Sequence, residues 1–371
     1  MILERISILN YKNIEQAELS FSSKINCFLG NNGMGKTNLL DAIYYLSFCK
    51  SHNNLIDSQN IRHDSDIALI QGYYVQEDSS QDELFCSLKR RQKKQFKRNK
   101  KEYEKLSDHI GYLPLVMISP SDNELILAGS EERRKFIDVV ISQFDKEYLQ
   151  ALIRYNKALK QRNALLKSEM QMDESLYELW EEQLGQEGEI IYQKRRAFVK
   201  DFIPIFQHYY NFICQSNEKV DLVYQSQLEN GKLTDQLKQK RERDKILGYT
   251  TAGIHRDDLD MKMDGYPIKK VGSQGQNKTF VVSMKLAQFD FLKKVGTTTP
   301  ILLLDDIFDK LDSSRVEQIV KLVSEDNFGQ IFITDTNREH LDDILKGMNK
   351  NYHLYFVENG QVIENKANEE A

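Results

Sequence analysis

Gly30-Asn31-Asn32-Gly33-Met34-Gly35-Lys36-Thr37 decides the reading of this 371-residue chain. Its spacing is G-x-x-x-x-G-K-T, that of a phosphate-binding P-loop. Before it, Asn26-Cys27-Phe28-Leu29 closes a short apolar run with the character of a buried strand. After it, Leu39, Leu40, Ile43 and Leu46 recur at helical spacing. Strand, loop and helix therefore stand where a phosphate cradle needs them, which a Gly-rich turn matching by chance would lack. Gly30, Gly33 and Gly35 let the backbone turn tightly and aim its N–H groups at an anion, and the helix dipole adds partial positive charge there. In this reading all eight residues surround the phosphates of a nucleoside triphosphate. Lys36 reaches the β- and γ-phosphates and supports transfer, while the Thr37 hydroxyl ligates Mg²⁺.

The rest of the composition narrows the setting. Hydrophobic residues make up 40% and charged residues 29% of the chain, an ordinary globular balance. No apolar run approaches the ~18–20 residues of a membrane span, and charge interrupts Met1 to Ile6 too early for a signal peptide. Cys27, Cys49, Cys86 and Cys214 are scattered without a C-x-x-C pair, so neither a zinc site nor a disulfide framework is expected and a cytoplasmic setting is. The net charge of −5 gives no overall field favouring nucleic acid, so such binding needs a local basic surface.

Such a run exists. Lys89, Arg90, Arg91, Lys93, Lys94, Lys97, Arg98, Lys100 and Lys101 put nine cations into thirteen residues, with Phe96 among them. Two readings stand open: a solvated hairpin tip, or a contact to the DNA phosphate backbone.

Along the chain, Ile2 to Leu9 and Ala17 to Phe21 read as a hairpin leading into the P-loop strand. Ile67 to Val75, Leu84 to Leu88 and Leu113 to Ile118 read as further strands. Ser130 is placed to cap a helix that opens with Glu131 and Glu132. From there to about Ser216 the apolar positions follow helical spacing and read as core; proline is absent from Ser121 to Ile203. Val220 to Tyr224, Leu259 to Met263 and Ile268 to Val271 read as strands, with a charged helix over 232–246. The expected organisation is α/β: an ATPase lobe in two parts, 1–125 and 217–364, an inserted α-helical lobe at 126–216, and a disordered tail at 365–371.

Three later motifs select among P-loop proteins. Ile301-Leu302-Leu303-Leu304-Asp305-Asp306 is a buried parallel strand delivering two carboxylates to its end. Asp305 is placed to hold Mg²⁺ and Asp306 to orient the attacking water. Ser273-Gln274-Gly275-Gln276 opens a long apolar helix 32 residues before Asp305 and resembles the signature motif of ABC-type ATPases. Asp309-Lys310-Leu311-Asp312 resembles their D-loop. About 230 residues separate the P-loop from the signature, a split layout that resembles the SMC-type chromosome and repair ATPases, without their sustained heptad array.

A split head with a short helical insert resembles the RecF family of recombination mediators across essentially the whole chain. The resemblance is carried by 35–43, Ile118-Ser119-Pro120, 131–136, 161–166, His255-Arg256-Asp257-Asp258-Leu259, 272–276 and Leu304-Asp305-Asp306. The chain departs from that pattern at Ile254, at Asn277-Lys278 and at Asp335. The resemblance implies an ABC/SMC-like P-loop ATPase head that binds ATP and Mg²⁺ and dimerises around two nucleotides. Ser273, Gly275 and Gln276 then reach the nucleotide held by the opposite protomer. It implies slow hydrolysis, binding to DNA at single-strand gaps and duplex junctions, and action with RecR and RecO to load RecA in gap repair, replication restart and the SOS response. His255 and Arg256 could serve the nucleotide site or the packing of their lobe. Two other functions stay open at this point: an SMC-like structural clamp, and a P-loop enzyme acting on a small molecule.

Overall fold

The computed structural model describes residues 1–76, 78–168, 173–215, 217–308, 311, 313–324, 327–336 and 352–364. In chain order the N-terminal part forms β1 (Ile2–Tyr11), β2 (Ile14–Ser20), β3 (Ile25–Leu29), α1 (Lys36–Phe48), β4 (Ile67–Val75), β5 (Gln81–Lys89), β6 (Gln95–Arg98), β7 (Lys101–Glu102) and β8 (Leu115–Ile118). The middle forms α2 (Glu124–Leu127), α3 (Ser130–Phe144), α4 (Lys146–Leu166), α5 (Glu174–Cys214), β9 (Val220–Gln225), α6 (Leu233–Leu247), β10 (Asp258–Met263), β11 (Tyr266–Pro267) and α7 (Ile268–Val271). Then follow α8 (Gln274–Val295), β12 (Ile301–Asp305), α9 (Ser313–Ser324), β13 (Ile331–Asp335), β14 (Tyr352–Glu358) and β15 (Gln361–Glu364).

The chain divides into two compact units. The first comprises Met1–Asp122, Phe212–Cys214 and the chain from Met284 onward; the second comprises Asn123–Asn211 and Gln215–Ser283. The first holds two six-stranded sheets, ordered β2-β1-β4-β5-β6-β7 and β15-β14-β3-β13-β12-β8. Strands β14, β3, β13, β12 and β8 pair in parallel. Every residue of β3, β12, β13 and β8 is buried, the reason those strands read as unbroken apolar runs rather than alternating ones. In the antiparallel sheet, β4 alternates half-buried and buried positions instead. Helix α1 packs on strands of both sheets, so nearly its whole circumference is buried, as a helix apolar on all sides requires. The fit leaves no room at Gly72, where a Cβ would lie 2.6 Å from Leu46 Cδ1.

The second unit packs α3, α4, α5 and α6 with the three-stranded sheet β11-β10-β9. Ion pairs Lys194–Asp145, Arg154–Glu187 and Arg162–Glu181 run in opposite chain directions along α4 and α5, so the two helices are antiparallel. Its interior is not purely apolar. Arg162 is fully buried between Glu181 and Asp244, at 3.0 and 2.7 Å. Arg195 is bound by Asp138 and Asp257, at 2.8 and 3.0 Å.

Several expectations need correction. The contacts place 217–283 with the helices rather than with the C-terminal ATPase part, because β9 and β10 bury their apolar faces within that unit. Ile268–Val271 is a turn of helix, not a returning strand; Pro267 has no N–H to continue the ladder beyond Tyr266. Gly129 occupies the α3 N-cap position, while the Ser130 hydroxyl accepts from Arg134 Nη1 at 2.7 Å. The helical spacing expected to about Ser216 is met, with α5 running on through Pro204. Burial of Phe202 and Phe206 beside it offsets the roughly 3 kcal/mol an interior proline costs. The expected tail at 365–371 lies outside the described residues.

Candidate nucleotide site

The phosphate-loop candidate sits between β3 and α1, and its conformation uses the glycines. Gly33 and Gly35 have φ of +81° and +114°, backbone that side-chain-bearing residues avoid. A Cβ on Gly30 would lie 2.3 Å from the Val357 carbonyl oxygen. Lys36, 4% exposed, bends back over the loop and donates to the carbonyls of Gly30 and Asn31, at 2.8 and 3.2 Å. Two hairpin turns brace the loop from outside. Asn13, between β1 and β2, donates to Met34 O and accepts from Asn38 Nδ2 at 2.7 Å. Gly360, between β14 and β15, donates its N–H to the same Met34 carbonyl at 2.8 Å. Asn13 carries no motif in the sequence; its turn lies seventeen residues before Gly30, and only the fold brings it there.

Sheet order supplies the second half of the site. With β13 between β3 and β12, the C-terminal ends of β3 and β12 lie near each other. Thr37 Oγ1 sits 2.9 and 3.0 Å from the two Asp305 carboxylate oxygens. Thr334 on β13 donates to Asp305 Oδ1 at 2.7 Å. Burial raises the Asp305 pKa, opposed by hydrogen bonds from Thr334 and Thr37 and by the Lys36 charge. The next residue, Asp306, has φ of +45°, and its N–H reaches Thr334 Oγ1 at 3.1 Å. Asp335 ends β13 buried; Thr334, not Asp335, meets Asp305.

A hydroxyl and a carboxylate are hard oxygen donors suited to Mg²⁺, which commonly takes one or two carboxylates and fills its shell with phosphate oxygens and water. Thr37 and Asp305 therefore fit that ion, and no larger acidic cluster is needed. Among the described residues there is no group of three or more His, Cys, Asp or Glu able to hold a metal.

Another buried ionic contact joins β8 to α8. Lys285 Nζ binds Asp122 Oδ1 at 2.7 Å and the Met117 carbonyl at 3.0 Å. Asp122 also accepts from the Ser119 N–H at 2.7 Å. Strand β8 neighbours β12, so this contact fixes the turn beside Asp305.

The signature candidate belongs to the second unit. Its four residues form a capping box: Ser273 N–H donates to Gln276 Oε1 at 2.8 Å, and Gln276 N–H donates to Ser273 Oγ at 3.3 Å. Gly275 is half-buried in the first turn, its carbonyl accepting from Thr279 Oγ1 at 2.9 Å. Of the D-loop candidate, Asp309, Lys310 and Asp312 lie outside the described residues.

His255 and Arg256 bind within their own unit. His255 Nδ1 meets the Tyr155 hydroxyl at 2.8 Å and Nε2 meets the Thr250 carbonyl at 3.1 Å. Burial lowers the His255 pKa to about 4. Arg256 donates to the same Thr250 carbonyl at 3.0 Å and covers the Tyr249 ring.

The basic run is not one patch. Lys89 ends β5, the β5–β6 turn carries Arg91 and Lys93, and the β6–β7 turn carries Lys100, beside Lys101, at the opposite end of β6. Lys94 is drawn inward to Asp57, Tyr45 and the Cys49 carbonyl. Arg98 binds Asp82 and lies 3.8 Å over Tyr112. Arg90 donates to the Ser65 and Arg62 carbonyls, and Lys97 faces the Phe85 ring. Phe96 is 1% exposed against His109, so it offers no surface to a base.

Known proteins share this architecture. The family profile described as RecF/RecN/SMC N terminal domain matches residues 2–363. A protein of Bacteroides thetaiotaomicron named DNA replication and repair protein RecF is 65% identical over 364 residues, covering 98% of this chain and 99% of its own. One of the same name from Porphyromonas gingivalis is 50% identical over 365 residues, covering 98% and 100%. A solved structure of the recombination mediator protein RecF with ATP, in the RecFOR pathway, superposes with a TM-score of 0.87 at 28% identity, covering 98% of this chain and 97% of that one. An SMC head bound to the C-winged helix domain of ScpA shares the fold, with a TM-score of 0.58 at 14% identity over 99% and 98% of the two chains.

Proposed function

The chain belongs to the RecF family of DNA replication and repair proteins, within the wider RecF/RecN/SMC group, and we propose that it is an ATP-controlled, DNA-binding recombination mediator. ATP is its nucleotide. The observation that carries this reading is the contact of Thr37 with Asp305, beside a buried lysine in a P-loop conformation.

In this proposal the loop amides from Gly30 to Gly35 and the α1 N-terminus bind the phosphates, and Lys36 turns from the loop carbonyls to neutralise them. Thr37 and Asp305 would hold Mg²⁺, which would supply charge neutralisation for the nucleotide phosphates. Asp306 orients water. Ser273, Gly275 and Gln276 bring a capped helix N-terminus to the nucleotide of a second copy, so ATP favours the dimer by binding it more tightly than the monomer. Asp306 is shorter than glutamate, and each site needs residues from two chains; both features suit a slow switch rather than a motor. The dimer engages DNA at single-strand gaps or junctions and acts with RecR and RecO to aid RecA loading during repair, replication restart and the SOS response in the cytoplasm. Among the described residues no helix is long and apolar enough to cross a membrane.

An SMC-like clamp is less well supported: α4 and α5, of 21 and 41 residues, reach about 30 and 60 Å at 1.5 Å per residue, too short for a chromosome-spanning coil. A small-molecule P-loop enzyme would give the signature turn no task. The test is binding to a gapped duplex in ATP, in ADP and without nucleotide. Tight binding confined to ATP supports the proposal, and nucleotide-independent binding refutes it.

A further inference from the structure

We propose that Glu218 is a positioning residue for the signature turn, holding Gln276 in the one orientation that caps α8. A glutamine in a capping box carries an ambiguity. Its carboxamide has an acceptor end and a donor end, and only Oε1 can satisfy the Ser273 N–H. Glu218 removes the ambiguity: its Oε1 accepts from Gln276 Nε2 at 2.8 Å, and an ionised carboxylate cannot pair with the flipped amide oxygen.

The carboxylate is itself held. Its Oε2 accepts from the Tyr210 hydroxyl at 2.5 Å, and Tyr210 is fully buried on α5, its ring edge-on to Phe280 of α8. The backbone beside Glu218 is fixed as well. Lys219 exchanges hydrogen bonds with Asp264, N–H to Oδ1 at 2.9 Å and carbonyl from N–H at 2.7 Å. Glu218 is therefore a braced strut between α5 and the first turn of α8.

This inference rests on the reading that Ser273 and Gln276 engage a partner's nucleotide, so the experiment separates the two. Solution mass is followed against protein concentration with ATP and Mg²⁺, and fluorescent-ATP binding is measured at concentrations too low to dimerise. Glu218→Ala leaves monomer ATP affinity unchanged and weakens ATP-dependent dimerisation about tenfold, the scale of a missing helix cap. Glu218→Gln, whose NH2 can pair with the flipped Gln276 oxygen, recovers only part of that loss, and recovery to the parent level would overturn the role of the acceptor-only carboxylate. Dimerisation of Glu218→Ala at the parent level, with Ser273→Ala defective, overturns the role of Glu218. Normal dimerisation of Ser273→Ala overturns the underlying reading of the signature. If Glu218→Ala melts early, Tyr210→Phe carries the test, because it keeps the ring and removes only the hydroxyl; parent-level dimerisation in that variant likewise overturns the assignment.

Discussion

Thr37 and Asp305 lie 268 positions apart in the chain and meet at 2.9 Å. Neither is explained by packing alone. Burial raises the Asp305 pKa, and hydrogen bonds from Thr334 and Thr37 with the Lys36 charge offset it only in part. This pairing motivates the first expectation. Asp305→Asn keeps the shape but turns one accepting oxygen into an NH2 donor and removes the charge that attracts a divalent cation. It lowers the apparent Mg²⁺ affinity of the ATP complex by roughly 10- to 100-fold, the scale seen when a supporting metal-site carboxylate is changed. Titrating Mg²⁺ against ATP binding checks this, and an unchanged Mg²⁺ midpoint would remove Asp305 from the site.

Lys36→Ala takes away the cation whose hydrogen bonds lie inside the loop. Truncating one partner of a buried charge pair costs about 2–5 kcal/mol, so ATP affinity falls by at least about 30-fold. Calorimetry or fluorescent-ATP binding reads this directly, with the melting temperature without nucleotide as the control for folding.

The division of the basic run gives a split outcome. Replacing Lys89, Arg91 and Lys93 together by Gln flattens the salt dependence of DNA binding, by up to about 0.9 in log–log slope for each phosphate no longer neutralised. Lys94→Gln acts on stability instead, since Lys94 is bound to Asp57 and Tyr45. An unchanged slope in the triple variant would identify that turn as a solvated hairpin tip.

His255 links acidity to stability in the second unit. Its folded pKa is about 4, against about 6.5 in an unfolded chain. Between those values the unfolded state binds more protons, so stability is fully present above pH 6.5 and declines as pH falls toward 4. The geometry gives the same direction: neutral His255 donates from Nε2 to the Thr250 carbonyl and accepts at Nδ1 from Tyr155. Urea unfolding from pH 4 to 7 measures the slope, and His255→Gln reduces it. An equal slope in that variant would assign the proton to another group.

The P-loop, the Asp305 strand and the helix after Ser273 are legible in the sequence because each is locally determined. Buried parallel strands read as apolar runs, and a phosphate loop needs glycine where φ is positive. Ser273 and Gln276 stand out as a motif, while their capping box, which needs only four residues, becomes visible only in the structure. The features that sequence reading misses depend on contacts distant along the chain. Arg162 and Arg195 look like surface charges on amphipathic helices until Glu181, Asp244, Asp138 and Asp257 surround them. Phe96 reads as an exposed aromatic among lysines, yet β-strand alternation turns it into the core while its neighbours face outward. The expected boundary near 216 marks the end of helical periodicity, which cannot tell which unit the next strands will cover.

The most direct test of the account is the solution mass of the parent chain and of Ser273→Ala in ATP with Mg²⁺, compared with ADP, with and without gapped DNA. The account predicts a dimer for the parent in ATP only, further favoured by gapped DNA, and a monomer for Ser273→Ala that still binds ATP with parent affinity. A parent chain that stays monomeric in ATP, or a Ser273→Ala variant that dimerises like the parent, would contradict it.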